Sequence, residues 1–451
     1  MKPIKKPLQV ALLSALLAFG PPALAAVSGD EAAKLKSELT PLGGEKAGNK
    51  AGTIPAWDGG LTKPPAGFKA GETGYIDPFA NEKPTLTITK ANAEQYKDNL
   101  TAGEMALLKK YDNYKINVYP THRTAALPKA ITDKVKDQAT KVELQGFGLA
   151  NVGGTTTPFP IPKSGLEVIW NHNVRYLGGG FERQFANFPV RANGETFLIK
   201  ATENRIFSQN MDTPEDNRLL YFRSNLLAPA SLVGSMTLVH EPLDQVKEAR
   251  SAWVYNAGQR RVRRAPDLAY DSITDGTEGM RYTDQYDGYN GAPDRFDFKL
   301  VGKKEIYVPY NAYKLASKGV EYKDIIQPGS VNSDLVRYEL HRVWVVDGTL
   351  KAGQKHAFGR RTFYIDEDSW SIVWEDAYDT RGNLWRVGMH PIMQFYDAGV
   401  TWYAANIWHD LSNGGYFASS LMNQEPAWKF GQKGQLKDFQ PDALRRFAGG
   451  K

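Results

Sequence analysis

Hydrophobic and polar residues alternate along the second half of the chain, from about Gly194 onward. The alternating runs are short, and each ends near a cluster of turn-forming residues such as Gly, Asn or Asp. This pattern is typical of β-strands that bury one face. The runs that predict strands are Glu195–Lys200, Arg218–Phe222, Met236–Glu241, Ala252–Asn256, Arg260–Arg264, Lys299–Pro309, Val336–Val346, His356–Ile365, Ser371–Asp376, Leu384–His390, Val400–Ile407 and Tyr416–Ser420.

Tight turns connect many of these runs, among them Asn193-Gly194, Asp347-Gly348 and Asn413-Gly414-Gly415. Strands joined by such short turns pair as antiparallel hairpins. The sequence therefore predicts a mainly β, α+β fold in which residues 194–451 form one large curved antiparallel sheet.

The first half of the mature chain has helical signals instead. Capping boxes at Ser28 with Glu31 and at Thr101 with Glu104 predict two helix starts. Further helices are predicted over Pro128–Leu144 and from Ser164 onward. We expect these helices of residues 26–193 to cover and plug one face of the sheet, so that both segments form one domain.

An irregular stretch, Thr40–Gly60, interrupts the helical part and is rich in Gly and Pro. Such composition indicates extended chain without regular structure. Leu42, Ile54 and Trp57 are its larger apolar residues, and too few to fold alone. We expect this arm to lie against the body of the protein or against a partner subunit.

The N-terminus has the order of a secretory signal peptide. Lys2, Lys5 and Lys6 precede the apolar run Leu8–Phe19, and small residues follow up to Ala25. The run is too short to span a bilayer, which needs about 20 apolar residues. We expect residues 1–25 to be removed after Ala25 and the mature protein to reach the periplasm.

Composition narrows the class of protein. The chain has 451 residues and no Cys, which excludes disulfides and thiolate metal sites, and 41% of its residues are hydrophobic. A chain of this length can bury a core large enough to do without disulfides. The formal charge of +6 includes the lysines of the signal segment, so it is too weak to indicate nucleic-acid binding.

Sequence motifs for catalysis are mostly absent. The chain lacks G-x-S-x-G, S-x-x-K, a phosphate loop and H-E-x-x-H, and its seven His are scattered. We therefore predict no metal and no other cofactor.

Asp284, Asp287, Asn290 and Asp294 resemble a calcium loop in composition, but their spacing differs from that of an EF-hand. A polar turn is favoured there, with calcium as the alternative.

Two groups of acidic residues could supply the paired carboxylates that glycoside hydrolysis needs. Asp366, Glu367 and Asp368 fall in a predicted turn, where we expect them to be solvated. Glu375 and Asp376 end a strand next to an aromatic residue. A sheet of this size offers such pairs by chance, so we expect a protein that is not an enzyme and keep hydrolysis as an alternative.

The densest charged cluster is Arg260–Arg264. Strand alternation places Arg261 and Arg263 on one face of the sheet. Guanidinium groups in a row can bind a carboxylate or phosphate head group in bidentate fashion. Pairing with Asp267 or Asp271 is the alternative.

Large aromatic residues recur on the predicted strands. They can form ordinary core, or they can line an apolar cavity in a half-barrel too wide for its own side chains. The second interpretation predicts a hydrophobic binding site, together with Arg261 and Arg263. Its aromatic members are Trp253, Tyr255, Trp344, Phe363, Trp374, Trp402 and Trp408.

Aromatic-x-aromatic strands that run into Asn or Asp turns, as in Trp253–Asn256 and Phe363–Asp366, are similar to those of the periplasmic lipoprotein-carrier family. The resemblance covers roughly the C-terminal half. It implies a curved antiparallel half-barrel that is plugged by helices around an apolar cavity.

A closer resemblance spans nearly the whole mature chain. The chain is identified as a member of the bacterial exported domain-of-unknown-function family 1329, which is related to outer-membrane lipoprotein-sorting proteins. The blocks that carry the resemblance are LTPLGGEKAGNKAGTIPAWDGGL, YIDPFANEKP, VYPTHRTA, PFPIPKSGLEVIWNH, GQRRVRRAP, GAPDRFDFKLVGKKE, HRVWVV and DEDSW. Membership implies association with an inner-membrane exporter of the resistance-nodulation type and an outer-membrane β-barrel protein. It supplies no catalytic residues.

These observations together predict a non-enzymatic periplasmic carrier or adaptor for a hydrophobic, lipid-like compound. One alternative is a periplasmic carbohydrate-active hydrolase that uses paired carboxylates. Another is a structural interaction protein that joins partners by strand addition at its sheet edge or its arm. The sequence leaves open whether the protein is a homo-oligomer.

Overall fold

The computed structural model describes residues 27–448 except 73, 151, 153, 155, 246, 267 and 269. The predicted signal peptide, residues 1–25, lies outside the described residues. The α-helices are α1 (Gly29–Ala33), α2 (Ala102–Lys110), α3 (Lys129–Gln138), α4 (Gly165–Asn173), α5 (Tyr322–Ile325) and α6 (Ala443–Ala448). Short 3-10 helices are Lys34–Lys36, Ala93–Asn99, Ser208–Asn210, Thr283–Gln285, Pro293–Arg295, Ser333–Leu335 and Leu436–Phe439.

The strands dominate the fold. They are β1 (Leu86–Ile88), β2 (Ile116–Val118), β3 (Glu143–Gln145), β4 (Gly148–Ala150), β5 (Gly180–Val190), β6 (Ile199–Phe207), β7 (Arg218–Ala228), β8 (Met236–Pro242), β9 (Ser251–Asn256), β10 (Arg261–Arg264), β11 (Phe296–Pro309), β12 (Tyr338–Leu350), β13 (Arg360–Asp366), β14 (Ile372–Tyr378), β15 (Leu384–Met389), β16 (Ile392–Phe395), β17 (Val400–Tyr403), β18 (Asn406–Asp410), β19 (Tyr416–Leu421) and β20 (Lys429–Phe430).

One curved 16-stranded sheet contains most of these strands, in the order β1-β2-β12-β13-β14-β15-β18-β19-β5-β6-β7-β8-β9-β10. Strand β11 pairs with β12, and β20 pairs with β5. The pairs within this sheet are antiparallel except for a single parallel contact between β2 and β12. The predicted mainly β fold with a large antiparallel sheet is confirmed.

Strand β5 was not predicted, because polar residues such as Arg183 and Asn187 interrupt its apolar residues, so that neither of its faces is uniformly apolar in sequence. Nearly all of its residues are nevertheless buried, and Arg183 and Asn187 have partners on neighbouring strands, Glu203 on β6 and Ser419 on β19. Its position is central, because β5 joins β6 to β19 and so connects the two halves of the sheet. The sheet therefore begins before residue 194.

Several other strand boundaries also differ from prediction. The run over 195–200 becomes strand only from Ile199, since residues 193–195 form the turn that closes on Arg191. The run over 400–407 is two strands, of which β17 pairs with β16 and β18 with β15 and β19.

The predicted helix starts are confirmed, but the helices are shorter than expected. Both capping boxes form, and the Ser164 hydroxyl accepts from the backbone N–H of Glu167. Helix α4 packs closely on the sheet, since a Cβ at Gly165 would lie 2.6 Å from the carbonyl oxygen of Phe298. No helix among the described residues combines the length and the apolar character needed to cross a membrane.

The arm, residues 40–60, lies against the body of the protein. Leu42 and Ile54 are 7% and 1% exposed, and the Trp370 indole donates to the Leu42 carbonyl at 3.0 Å. Trp57, in contrast, is only half-buried. The docking predicted from the sequence is therefore present, but Leu42 and Ile54 make the buried contacts.

We expect Leu42→Ala to loosen the arm more than Trp57→Ala. Leu42 packs into a cluster with Trp370 and Tyr289, and truncating a buried Leu costs about 2–5 kcal/mol. The half-buried Trp57 ring should contribute less. Limited proteolysis within residues 40–60 measures the difference, and equal cleavage rates in the wild type and both variants would contradict it.

Candidate functional site

A cavity of about 390 Å³ lies on one face of the β5–β9 meander. Residues 270–290, which we call the cover loop, line its other side. Ile199, Leu220, Phe222, Val239 and Val254 form much of its strand wall. Because these side chains come from one face of adjacent strands, we call that face the cavity face.

Cross-strand registry explains how the wall is built. Phe222 lies directly opposite Val239, and Val239 opposite Ala252. The opposite face of the same strands carries residues such as Tyr221 and Leu238, which pack against α6 and Phe439. One face of the meander is thus filled core, and the other face borders the cavity.

The cover loop is held by buried ion pairs. Asp287 lies 3.1 Å from Arg175 and 3.3 Å from Arg205, and it accepts from the Trp402 indole at 2.6 Å. Burial raises the cost of ionising Asp287, but the two guanidiniums hold its pKa down at about 2. The loop therefore stays anchored by a charged carboxylate.

A second anchor lies three residues earlier in the same loop. Asp284 is 2.6 Å from Arg361 of β13 and 2.9 Å from His356. Arg361 also contacts Glu375 at 2.6 Å and is fully buried. These contacts attach the cover loop to β13 and, through Glu375, to β14.

The cavity also has a polar end. Arg205 and Arg281 line it beside Tyr286, and Glu241 lies there with Arg250 at 2.7 Å. Burial raises the pKa of Glu241, although Arg250 opposes that shift. The cavity therefore joins apolar walls to a region rich in guanidinium groups.

The predicted binding residues lie in several separate parts of the structure. None of them is among the residues that line this cavity. Trp253 and Tyr255 lie on the α6 side of β9, opposite to the cavity face. Trp344 and Phe363 belong to the core around Trp370. Their role as ligand contacts stays a prediction.

The other three predicted aromatics are almost fully buried. Trp374 is 0% exposed, and its indole donates to Asp376. Trp402 supports the cover loop through Asp287, and Trp408 lies 5.3 Å from the Arg281 guanidinium. Trp402 and Trp408 thus contact residues of the cover loop, but neither of them lines the cavity.

Arg261 and Arg263 share a face, as alternation predicts, and both are exposed. Arg263 lies opposite Val254 in the registry, so the two arginines are on the cavity face, one strand beyond the wall. Of the alternative partners, Asp271 contacts Arg295 at 3.7 Å, and Asp267 lies outside the described residues.

The expectation that Asp366, Glu367 and Asp368 are solvated is wrong. They are at most 4% exposed, because the arm and Arg123 cover them. Arg123 binds Asp368 with two hydrogen bonds of 2.7 Å, and Lys303 lies 2.7 Å from Glu367. These cations come from distant parts of the chain, which turn composition cannot reveal.

This acidic turn also brings three potential metal ligands together. Ligand atoms of His341, Asp366 and Asp368 lie within 4.8 Å of one another. Asp368 is already bound by Arg123, and His341 shares a hydrogen bond of 3.0 Å with Glu339. The cluster therefore belongs to the ion-pair network that docks the arm.

Two of the three carboxylates in the calcium-like segment contact cations of the protein. Asp284 and Asp287 are the two anchors of the cover loop, and Asn290 accepts from Arg250. Asp294 accepts from the Tyr270 hydroxyl at 2.9 Å. The segment is a loop held by arginines, a pattern that its spacing did not indicate.

Arg205, Arg281 and Tyr286 were missed by sequence reasoning. Arg205 lies on β6, whose predicted extent ended too early, at Lys200. Arg281 and Tyr286 lie in a loop whose sequence predicts turns but no direction for its side chains. Only the packing of the loop on the sheet brings the three together.

Comparison with known proteins decides the family. Residues 87–445 match the sequence profile of the family described as "Protein of unknown function (DUF1329)". The chain belongs to the DUF1329 family. A relative from Pseudomonas aeruginosa, the uncharacterized protein PA3922, is 49% identical over 431 residues, which are 94% of each chain. The predicted membership is confirmed.

Solved structures also resemble this DUF1329 protein. One is a DUF1329 family protein from Desulfovibrio piger, with 13% identity, a TM-score of 0.44, and coverage of 62% of this chain and 97% of that chain. Another is the LolA superfamily protein NE2245 from Nitrosomonas europaea, with 11% identity, a TM-score of 0.40, and coverage of 62% and 100%. Both likenesses concern the fold alone.

Proposed function

We propose that this DUF1329 protein is a non-enzymatic periplasmic carrier for a hydrophobic, lipid-like compound. The observation that carries the proposal is the cavity between the cavity face and the cover loop. Its volume of about 390 Å³ lies within the range of small-molecule sites. Apolar walls with a few polar groups at one end suit a ligand that has a hydrocarbon part.

Apolar burial would supply most of the binding free energy, at about 25 cal/mol per Å² of surface removed from water. Ile273, on the cover loop, is 59% exposed and also lines the cavity. An exposed apolar residue at the edge of an apolar cavity gives a hydrophobic ligand a route of entry past the loop. A carrier needs such access for both loading and release.

The proposed setting follows from the signal sequence and from the family. Cleavage after Ala25 would release the protein into the periplasm. There it would work with a resistance-nodulation exporter in the inner membrane and an outer-membrane β-barrel protein. In this role the cavity shields the ligand from water between the two membranes.

We expect Val239→Asp to weaken the binding of a fluorescent lipid analogue to the delipidated protein. Val239 lies in the apolar strand wall, and a carboxylate there loses hydration when the ligand covers it. The dissociation constant should rise about tenfold or more, as measured by fluorescence titration. Circular dichroism checks that the fold is intact.

Val301→Asp is the matched control, because Val301 is 52% exposed on β11 and is not among the residues that line the cavity. It should bind the probe as the wild type does. If no hydrophobic probe binds the wild type, the carrier role is wrong. If both variants bind equally well, the ligand site lies elsewhere.

The arrangement of Glu375 and Asp376 gives no support to the hydrolase alternative. Glu375 accepts from Arg361 at 2.6 Å, and Asp376 accepts from the backbone of Gly103 at 3.0 Å. Both carboxylates are fully buried, and neither lines the cavity. Retaining and inverting glycosidases both need their acids on a substrate-accessible surface.

A further inference from the structure

Arg281 differs from the other buried arginines of the described chain. Its side chain is 7% exposed, yet it makes no hydrogen bond or ion pair with a described residue, and its Nε is a buried donor without a partner. Every other arginine buried to this degree in the described ranges contacts a carboxylate, as Arg205 and Arg361 do. A buried charge without a partner is costly, so such groups are normally paired.

Three aromatic rings hold the Arg281 guanidinium in place. Its Cζ lies 5.1 Å from the ring of Tyr286 and 5.3 Å from the rings of Trp408 and Phe417. Rings attract the cation, but they do not supply oxygen acceptors for its N–H groups. The Trp408 indole N–H is a second buried donor without a partner among the described residues.

The backbone of the cover loop fixes the position of this side chain. The Arg281 carbonyl accepts from the Thr274 N–H at 3.1 Å, and Ile273 bridges to Tyr282. Arg386 of β15 donates to the Gly279 carbonyl at 2.6 Å. Arg281 is therefore presented to the cavity by a loop that is closed on itself and tied to the sheet.

Glu203 is a carboxylate whose charge acts on Arg281, but its oxygens already have other partners. Glu203 lies 2.6 Å from Arg183 and 2.9 Å from Arg205, and it accepts from the Tyr286 hydroxyl at 2.6 Å. Burial disfavours its charge, but the two guanidiniums keep its pKa below the ordinary value. Glu203 is thus ionised and saturated, and the described surroundings of Arg281 keep an excess of positive charge.

The pKa values of the buried arginines also separate Arg281, which contacts no carboxylate of a described residue, from the arginines that do. Burial lowers the pKa of Arg281 to about 10. The pKa values of Arg205 and Arg361 are raised, because their carboxylate partners outweigh the same burial. For Arg281, no carboxylate partner offsets the cost of burying the positive charge, as it does for Arg205 and Arg361.

We propose that Arg281 binds the oxyanion head group of an amphiphilic ligand whose hydrocarbon chain lies along the apolar walls of the cavity. This inference rests on the proposed carrier function and adds the chemical class of the ligand, a carboxylate or phosphate on an alkyl chain. The head group supplies the missing acceptors, and its charge offsets the excess of guanidinium groups. The exposed Arg261 and Arg263 lie one strand beyond the cavity wall and are the rival site for the head group.

The test compares two probes that share one hydrocarbon chain and differ at the head group, the anionic dansyl-undecanoic acid and its uncharged methyl ester. Both are titrated into the delipidated mature protein at neutral pH. The wild type should bind the acid about 10- to 100-fold more tightly than the ester, as expected for a charge-assisted hydrogen bond. Displacement by dodecanoate, dodecyl phosphate and dodecanol then identifies the oxyanion, and the alcohol should compete least.

Arg281→Met should remove the preference for the acid and leave the affinity for the ester nearly unchanged. Arg281→Lys should keep part of the preference. The melting temperature of Arg281→Met should equal or exceed that of the wild type, because the variant removes a buried charge that lacks a partner. The double variant Arg261→Met/Arg263→Met should keep the full preference.

Three results would overturn the inference. They are equal binding of acid and ester by the wild type, equal losses for both probes in Arg281→Met, and loss of the preference only in the Arg261/Arg263 double variant. Failure of both probes to bind the wild type would instead overturn the carrier function. The two proposals can therefore fail separately.

Discussion

Arg361→Met should lower the free energy of unfolding by about 3–5 kcal/mol. Arg361 is fully buried and lies 2.6 Å from both Asp284 and Glu375. Removing the guanidinium leaves two carboxylates in a site that excludes water. Breaking a buried ion pair from one side costs more than the pair itself contributes, because the remaining charges stay desolvated.

The same substitution should also affect the cavity, because Asp284 anchors the cover loop to β13. We expect amide hydrogen exchange in residues 270–290 to become faster, and binding of the lipid probe to weaken. Urea denaturation followed by circular dichroism gives the stability change. Hydrogen exchange then shows whether the loss is concentrated in the loop.

Arg381→Met is the matched control, because Arg381 pairs with Asp379 in an exposed turn. Exposed pairs contribute about 0–1 kcal/mol. The triple variant Arg361→Met/Asp284→Asn/Glu375→Gln should recover much of the lost stability, since it removes the uncompensated charges as well. Equal losses for Arg361→Met and Arg381→Met would show that the buried network does not hold the fold.

Asp376→Asn should make the protein more stable than the wild type above neutral pH. Asp376 is fully buried between α2 and β14, and burial raises its pKa from 3.8 to about 7. A group whose pKa is raised by folding favours the folded state while it is protonated. That contribution is fully present below pH 3.8 and is lost as the pH rises through about 7.

The amide of Asn fits the same hydrogen bonds without a charge. Its oxygen can accept from Gly103 N–H and the Trp374 indole, which contact Asp376 at 3.0 Å, and its NH₂ can face the Tyr364 hydroxyl. Glu104, also fully buried, has a raised pKa to which burial contributes most and Asp376 adds. The variant therefore relieves two buried acids at once.

Melting temperatures of the wild type and Asp376→Asn between pH 4.5 and 8.5 test this expectation. The melting temperature of the variant should exceed that of the wild type by an amount that grows with pH. The corresponding difference in the free energy of unfolding should reach a few kcal/mol, since one pKa unit corresponds to about 1.4 kcal/mol. Asp379→Asn is the control of opposite sign, because hydrogen bonds with Asn383 hold the pKa of the partly exposed Asp379 at about 2. A difference curve for Asp376→Asn that is flat with pH would contradict the prediction.

Much of the fold follows from local sequence signals. Alternation and turn residues located nearly all strands after residue 194, and capping boxes located helix starts at Ser28 and Thr101. Alternation also placed Arg261 and Arg263 on one face correctly. These signals succeed because hydrogen bonds and side-chain direction within a strand or a helical turn depend on neighbouring residues.

The functional site depended on contacts that the sequence does not reveal. Strand β5 was missed because buried polar residues such as Arg183 interrupt its apolar pattern, and the solvation of Asp366 was misjudged because distant segments cover it. Arg205 and Arg281 are far apart in sequence, and only the folding of the cover loop onto β6 and β7 joins them at one cavity. Local sequence signals by themselves determined most of the strands and turns. Tertiary packing decided which face of the β5–β9 meander borders a cavity, and it left Arg281 as the buried arginine that contacts no carboxylate of the described residues.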